Sequence, residues 1–216
     1  MGQRHMTYVL AHVDGYPSEM AALYNQWNYE TIQPQKVMRF LKQAKKWNKN
    51  KPHFSPDGLC EAYKYVASIH DYGMSVFRSN NEDYELPRCG MYSEDNNNGW
   101  QIVVITKGKN DQIKINVGFK PGYEWGEGYE QSGYMPLKEY LEAKLDRDYA
   151  ASQVNNFTVE HKNFAAFVAS FSEEDQQLLQ EVNDSFDLKI IKKAEKEIAK
   201  RIKQLQKENS AKAGKR

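Results

Sequence analysis

The sequence predicts an α+β protein: a small mixed or antiparallel sheet packed with helices, followed by a long C-terminal amphipathic helix. Three observations lead to this fold class. Apolar and β-branched residues form strand-like runs at residues 6–13, 102–106 and 112–119. Between residues 34 and 70 apolar side chains recur at helical spacing instead, with helix starts marked by Pro34 and Ser55. The same helical spacing returns in the lysine-rich C-terminal segment.

A further helix and a hairpin are predicted between these elements. Ser18 is placed to cap a short helix that carries Met20, Leu23 and Tyr24. The strands at 102–106 and 112–119 are expected to form a hairpin through residues 108–111, which include a glycine, an asparagine and an aspartate.

Composition and length limit the class of protein. Of the 216 residues, 40% are apolar and 27% are charged, as in globular proteins, and the length suits one domain with an appendage. No apolar run reaches the roughly 18 residues of a membrane span, and the N-terminus lacks a signal-peptide pattern. We therefore expect a cytoplasmic location and no membrane partner. Two cysteines, Cys60 and Cys89, form neither a disulfide framework nor a zinc motif.

The charges divide the chain into two parts. Residues 187–216 carry 11 Lys/Arg and 4 Asp/Glu, whereas the rest of the chain carries 19 and 25. A capping-box spacing from Ser172 to Asp175 predicts that a new helix begins there and continues as one long helix through Leu205. We accordingly divide the chain into an α+β domain, residues 1–170, and a basic amphipathic helical tail, residues 171–216.

The tail has three interpretations: a helix packed on the acidic body, a coiled-coil or partner-binding helix, or a nucleic-acid patch. Ile191 and Ile198 are seven residues apart, with Ala194 between them, so an apolar seam faces another surface. Because of this seam, a host protein is the favoured partner. Nucleic acid bound through the tail and homo-oligomerisation through the same helix are the alternatives.

Polar residues cluster directly before the first strand. Gln3, Arg4 and His5 place an amide, a fixed cation and a titratable imidazole side by side, which suits anion binding or acid–base catalysis. The alternative is that they are exposed residues that lead into the strand.

Two loops carry further candidate residues. Residues 94–99 have oxygen-bearing side chains at the spacing of a calcium loop, but the twelfth position is Ile105 instead of glutamate. A tight turn is therefore favoured, and no metal is predicted. Residues 122–133 are glycine-rich and contain Tyr123 and Trp125, whose rings suit a protein or sugar partner, or packing on the sheet. Three glutamates in this loop would repel phosphate, so no nucleotide cofactor is expected.

Three short segments resemble an uncharacterised family of bacteriophage and fungal proteins. They are the opening MGQRH, the Asn25-Gln26-Trp27 stretch and the Asp95-Asn96-Asn97-Asn98-Gly99 stretch. Members of that family begin MGQRHQ and carry HHQWLYG and DNNDG segments. The chain departs from them at Tyr24 and Asn25, which replace two histidines, and the tail lies outside the resemblance. The resemblance implies a phage-type context and one site formed by seven residues: Gln3, Arg4, His5, Gln26, Trp27, Asp95 and Asn96.

Three hypotheses for the function follow. The favoured one is a phage-type accessory protein that binds a host macromolecule, above all a protein, in host takeover or counter-defence. The second is a small hydrolase or transferase in which His5 acts as acid or base, Arg4 holds an anion and the Asp95 loop completes the pocket. The third is nucleic-acid binding through the basic tail.

Overall fold

The computed structural model describes residues 4–25, 31–69, 74–78, 99–122, 133–154 and 158–213. Along the chain it contains the following elements: β1 (His5–Val13), β2 (Glu19–Asn25), α1 (Ile32–Asn50), α2 (Pro56–Ser68), β3 (Met74–Arg78), β4 (Trp100–Lys107), β5 (Ile113–Lys120), α3 (Leu137–Val154), α4 (Thr158–Ala169), α5 (Glu173–Asp184) and α6 (Leu188–Ala213). Among the described helices, none is both long and apolar enough to cross a membrane.

The described strands form one mixed sheet in the order β3-β2-β1-β4-β5. The central strand β1 is antiparallel to β2 and parallel to β4, and the outer pairs β2/β3 and β4/β5 are antiparallel. Because β1 is covered on both faces, it carries apolar side chains in both directions. The structure confirms the predicted α+β class, the common sheet of the three predicted strands and the β4/β5 hairpin.

The segment after Ser18 is a strand, and the predicted helix there is wrong. β2 pairs with β1 along its whole length, from His5↔Asn25 to Ala11↔Glu19. Its apolar residues alternate between two separate hydrophobic cores, with Leu23 in one and Met20 and Tyr24 in the other. An apolar run that is buried on both faces does not distinguish a strand from a helix by its spacing alone, and pairing with β1 decides.

One face of the sheet is covered by α1 and α2, with α3, α4 and α5 completing the layer. The side chain of Ser55 caps α2 by accepting from the backbone N–H of Gly58, as the sequence predicts. The rings of Phe40 on α1 and Tyr63 on α2 meet edge to face, with centroids 4.9 Å apart. This layer fixes the start of α1 over the sheet.

The predicted tail forms two helices instead of one. The capping box at Ser172 begins α5, as predicted, but α5 ends at Asp184, and residues 185–187 carry the chain to the opposite face of the sheet. There α6 buries Ile191, Ala194 and Ile198 against apolar residues of β1, β2 and β4. The long amphipathic C-terminal helix is thus present, and its apolar seam packs on the sheet of its own chain.

Candidate functional site

The chain segments that carry the predicted site residues join the sheet at one end. His5 pairs with Asn25, and Met6 pairs with Trp100, which in turn pairs with Lys120. Of the predicted residues at this end of the sheet, Arg4 and His5 lie within the described part of the chain. The others lie outside it: Gln3, Gln26, Trp27, Asp95, Asn96, Tyr123 and Trp125. Their convergence on one pocket stays a prediction.

A buried polar cluster occupies this end of the sheet on the face covered by α1. It comprises His5, Thr7, Asn25, Gln33, Lys36 and Gln101, all of which are at most 5% exposed. Oγ1 of Thr7 lies 3.3 Å from Oε1 of Gln33 and 3.2 Å from Oε1 of Gln101, and its single hydroxyl proton is donated to one of them at a time. Oδ1 of Asn25 accepts from Nε2 of Gln33 at 3.1 Å and from Nζ of Lys36 at 3.2 Å. The first turns of α1 therefore place an amide and an ammonium group over the ends of three strands.

His5 is part of this cluster and is buried, so its interpretation as an exposed residue leading into the strand is wrong. Neither ring nitrogen has a hydrogen-bond partner within the described residues. Burial, and to a lesser degree the nearby charge of Lys36, lowers the pKa of His5 to about 3. A general base works best with a pKa near the working pH, so this imidazole is poorly suited to acid–base catalysis near neutrality. Arg4 precedes β1 and is partly buried.

Gly99, which ends the predicted turn at residues 94–99, has a structural role. Its φ of +98° lies in the region that favours glycine, and its carbonyl accepts from the N–H of Met6 at 3.2 Å. A Cβ atom here would overlap the carbonyl oxygen of Lys120 and lie 2.8 Å from the N atom of Gly122. The glycine therefore lets the start of β4 approach the end of β5.

A second candidate feature is a basic stripe along α6, which we call the lysine face. It consists of seven exposed lysines: Lys189, Lys192, Lys193, Lys196, Lys200, Lys203 and Lys207. Apart from the adjacent Lys192 and Lys193, successive lysines are three or four residues apart. Their side chains therefore share one side of the helix over roughly 27 Å. On the helical wheel the lysine face is opposite the buried seam, and Glu195 and Glu197 fall beside it. The spacing of the lysines in the sequence predicts this stripe. Only the structure shows that the apolar seam is buried on the sheet and leaves the lysine face as the available side of α6.

The two isoleucines that the sequence analysis proposed for binding are already buried. Ile191 is 0% exposed and Ile198 is 4% exposed, both against the sheet. Of the three interpretations of the tail, packing on the body is the arrangement in the structure, although the contact is apolar. A role of these residues in binding a host protein or a second copy would require α6 to leave the sheet.

Two cavities flank these elements. One, of about 450 Å³, lies at the edge strand β5 between α1 and α5, and has mainly apolar walls that include Leu41, Ile113 and Val182. The other, of about 190 Å³, lies between α6 and the sheet and is lined by Tyr8 and Trp100 among others. In the part of the chain that the structure describes, no three His, Cys, Asp or Glu side chains are grouped in a way that would hold a metal ion.

No protein-family model, no curated protein and no solved structure matches this chain. The resemblance to the phage and fungal family therefore stays a prediction.

Proposed function

We propose that the protein is a non-catalytic binding protein that engages nucleic acid through the lysine face of α6. The observation that carries this proposal is the run of seven exposed lysines on one side of a helix whose other side is fixed to the sheet. A fixed helix presents its charges in a constant pattern, and nucleic-acid phosphates attract such basic stripes strongly.

The burial of the apolar seam changes the order of preferred partners. The sequence favoured a protein partner because an exposed seam would need covering, and Ile191 and Ile198 are covered by the sheet. The surface that remains available on α6 is rich in lysine, a residue that is depleted in protein–protein interfaces and common in phosphate binding. Nucleic acid therefore ranks ahead of a host protein.

The environment of His5 supports a binding role over the enzymatic alternative. The imidazole is buried, and its low pKa makes it a weak proton acceptor at neutral pH. The phage-type accessory role remains part of this proposal, with nucleic acid as the macromolecule bound and a host protein as the competing partner.

Salt dependence of binding tests the proposal. Affinity for a fluorescently labelled oligonucleotide should fall steeply between 50 and 200 mM salt, as expected for several phosphate contacts. Replacing Lys192, Lys196 and Lys200 together by Gln should reduce the slope of log K against log salt by about 2 to 3, because each phosphate contact contributes roughly 0.7 to 0.9.

The matched control replaces three exposed lysines of the body by Gln: Lys49, Lys109 and Lys114. This variant loses the same charge away from the lysine face and should keep the original slope. Absence of binding, or an equal loss of slope in both triple variants, would overturn the proposal. Tighter capture of an acidic polypeptide such as polyglutamate than of the oligonucleotide at the same salt concentration would favour a protein partner instead.

A further inference from the structure

The cavity between α6 and the sheet has aromatic walls. Its volume is about 190 Å³, and Tyr8 of β1, Trp100 of β4 and Tyr134 all line it. Trp100 as a whole is half-buried, so part of this residue is open to the surroundings. Flat aromatic walls favour stacking with another ring.

The cavity borders the lysine face directly. Glu195 and Ala199 of α6 are among its lining residues. Lys192 precedes Glu195 by three residues and Lys203 follows Ala199 by four, and side chains at these spacings are neighbours on a helix. A molecule bound along the lysine face would therefore pass the mouth of the aromatic cavity.

Charged and polar side chains also line the cavity. Nζ of Lys120 lies 5.4 Å from the centre of the Trp100 ring, within the range of a cation–π contact. Burial raises the pKa of the Tyr134 hydroxyl, as do the nearby Glu195 and Tyr8, so this group stays protonated and can donate. Tyr134 packs against Gly118, where a Cβ atom would be only 3.2 Å from its side chain.

The size of the cavity limits its occupant. Pockets that enclose a whole drug-sized molecule usually measure roughly 300 to 1,000 Å³, and this one is smaller. It suits a single ring system that belongs to a longer molecule lying outside.

We infer that this cavity receives one base of a single-stranded nucleic acid whose phosphates follow the lysine face. The inference rests on the proposed function and narrows it, because bases in a duplex are stacked and paired and reach such a pocket only after being flipped out. Stacking on Trp100 holds the base, while Glu195 and the Tyr134 hydroxyl offer an acceptor and a donor to its edge. This arrangement tolerates different bases, since every base has a face to stack.

The test compares the affinity of the 216-residue protein for labelled oligothymidylate with its affinity for a duplex of the same length. Trp100→Leu should weaken single-strand binding by about 5- to 100-fold, the range for loss of one stacked base, and leave duplex binding and the salt slope unchanged. Trp100→Phe keeps a ring and should restore most of the affinity. Lys192→Gln combined with Lys203→Gln should instead weaken the binding of both the single strand and the duplex, and should lower the slope of log K against log salt.

The outcomes separate this inference from the proposed function. If single strand and duplex bind equally well through the lysines and Trp100→Leu has no selective effect, the base pocket is wrong while the proposed function stands. If neither nucleic acid binds, both fail. Thermal unfolding of each variant shows whether the fold is intact. If Trp100→Leu lowers the melting temperature, a second experiment uses a protein whose other three tryptophans are replaced by Phe. In that protein we expect oligothymidylate to quench the fluorescence of Trp100. Absence of quenching there would overturn the inference.

Discussion

Ile191 of α6 packs directly onto Gly118 of β5: a Cβ atom at this glycine would lie 3.1 Å from the Cγ2 atom of Ile191. The missing side chain lets the helix approach the strand closely, and Ile191 is completely buried there. The contact anchors α6 on the sheet. It thereby positions both the lysine face and the aromatic cavity beside it.

Replacing Ile191 by Ala should lower the free energy of unfolding by about 2 to 5 kcal/mol, because it removes buried apolar groups and leaves a cavity. Ile190→Ala is the matched control, since Ile190 is 41% exposed, and its effect should be clearly smaller. Urea denaturation followed by circular dichroism measures both. Similar losses in the two variants would show that α6 does not pack on the sheet through its seam.

Gly99→Ala should destabilise the protein, because φ is positive and the added Cβ would overlap the carbonyl of Lys120. We expect a loss above 1 kcal/mol, because the strain of a non-glycine residue in this region alone costs about 1 to 3 kcal/mol. Gly133→Ala is the comparison, since a Cβ atom there meets nothing within 4 Å. Thermal melts of the two variants test the prediction, and unaltered stability of Gly99→Ala would contradict this close approach of β4 and β5.

Elements with strong local signals could be predicted from the sequence. The β-branched run of β4 and the helix caps at Ser55 and Ser172 act within a few residues, and the structure has each of them. β2 was missed because burial on both faces removes its alternation. The break between α5 and α6 at residues 185–187 was missed because the apolar spacing continues through Phe186. This residue packs against the same core as the apolar seam of α6.

The polar cluster could be predicted only in part. His5 stands out in the sequence, but Thr7, Gln33 and Gln101 come from three different elements and gather only when the sheet and α1 pack together. Nothing in the local sequence indicates that His5 is buried, because histidine is intermediate between the residues that are mostly buried and those that are mostly exposed. The helical spacing of the lysines on α6 can be seen in the sequence. Whether these lysines form the available side of α6 depends on which side of the helix the sheet covers, and only the structure shows this.

Ser172→Ala should destabilise the protein by about 1 kcal/mol through loss of a helix cap. The Ser172 hydroxyl accepts from the N–H of Asp175 at 3.2 Å, and the Asp175 carboxylate accepts from the N–H of Ser172 at 3.2 Å. Ser210→Ala serves as the control, since Ser210 is exposed near the end of α6. Chemical denaturation should separate the two variants, and equal stability of Ser172→Ala and the unmodified protein would show that the capping box contributes nothing.

Burial of His5 predicts a specific dependence of stability on pH. Its folded-state pKa of about 3 lies below the ordinary value of 6.5, so the unfolded chain takes up a proton first as the pH falls. The stability contributed by the neutral form is therefore complete above pH 6.5, declines between pH 6.5 and about 3, and is lost below that. Between pH 7 and pH 5 this amounts to about 2 kcal/mol, at roughly 1.4 kcal/mol per pH unit.

His5→Leu removes this titration and should flatten the pH dependence of unfolding over the same interval. The variant should fold, because neither ring nitrogen has a hydrogen-bond partner among the described residues and an apolar replacement leaves no donor or acceptor unpaired there. His12 has a pKa that burial also lowers, but it is present in both proteins and cancels in the comparison. His53→Gln controls for loss of an exposed imidazole. Urea midpoints at pH 7, 6 and 5 give the answer: parallel pH profiles for His5→Leu and the unmodified protein would mean that His5 is not held neutral in the folded state.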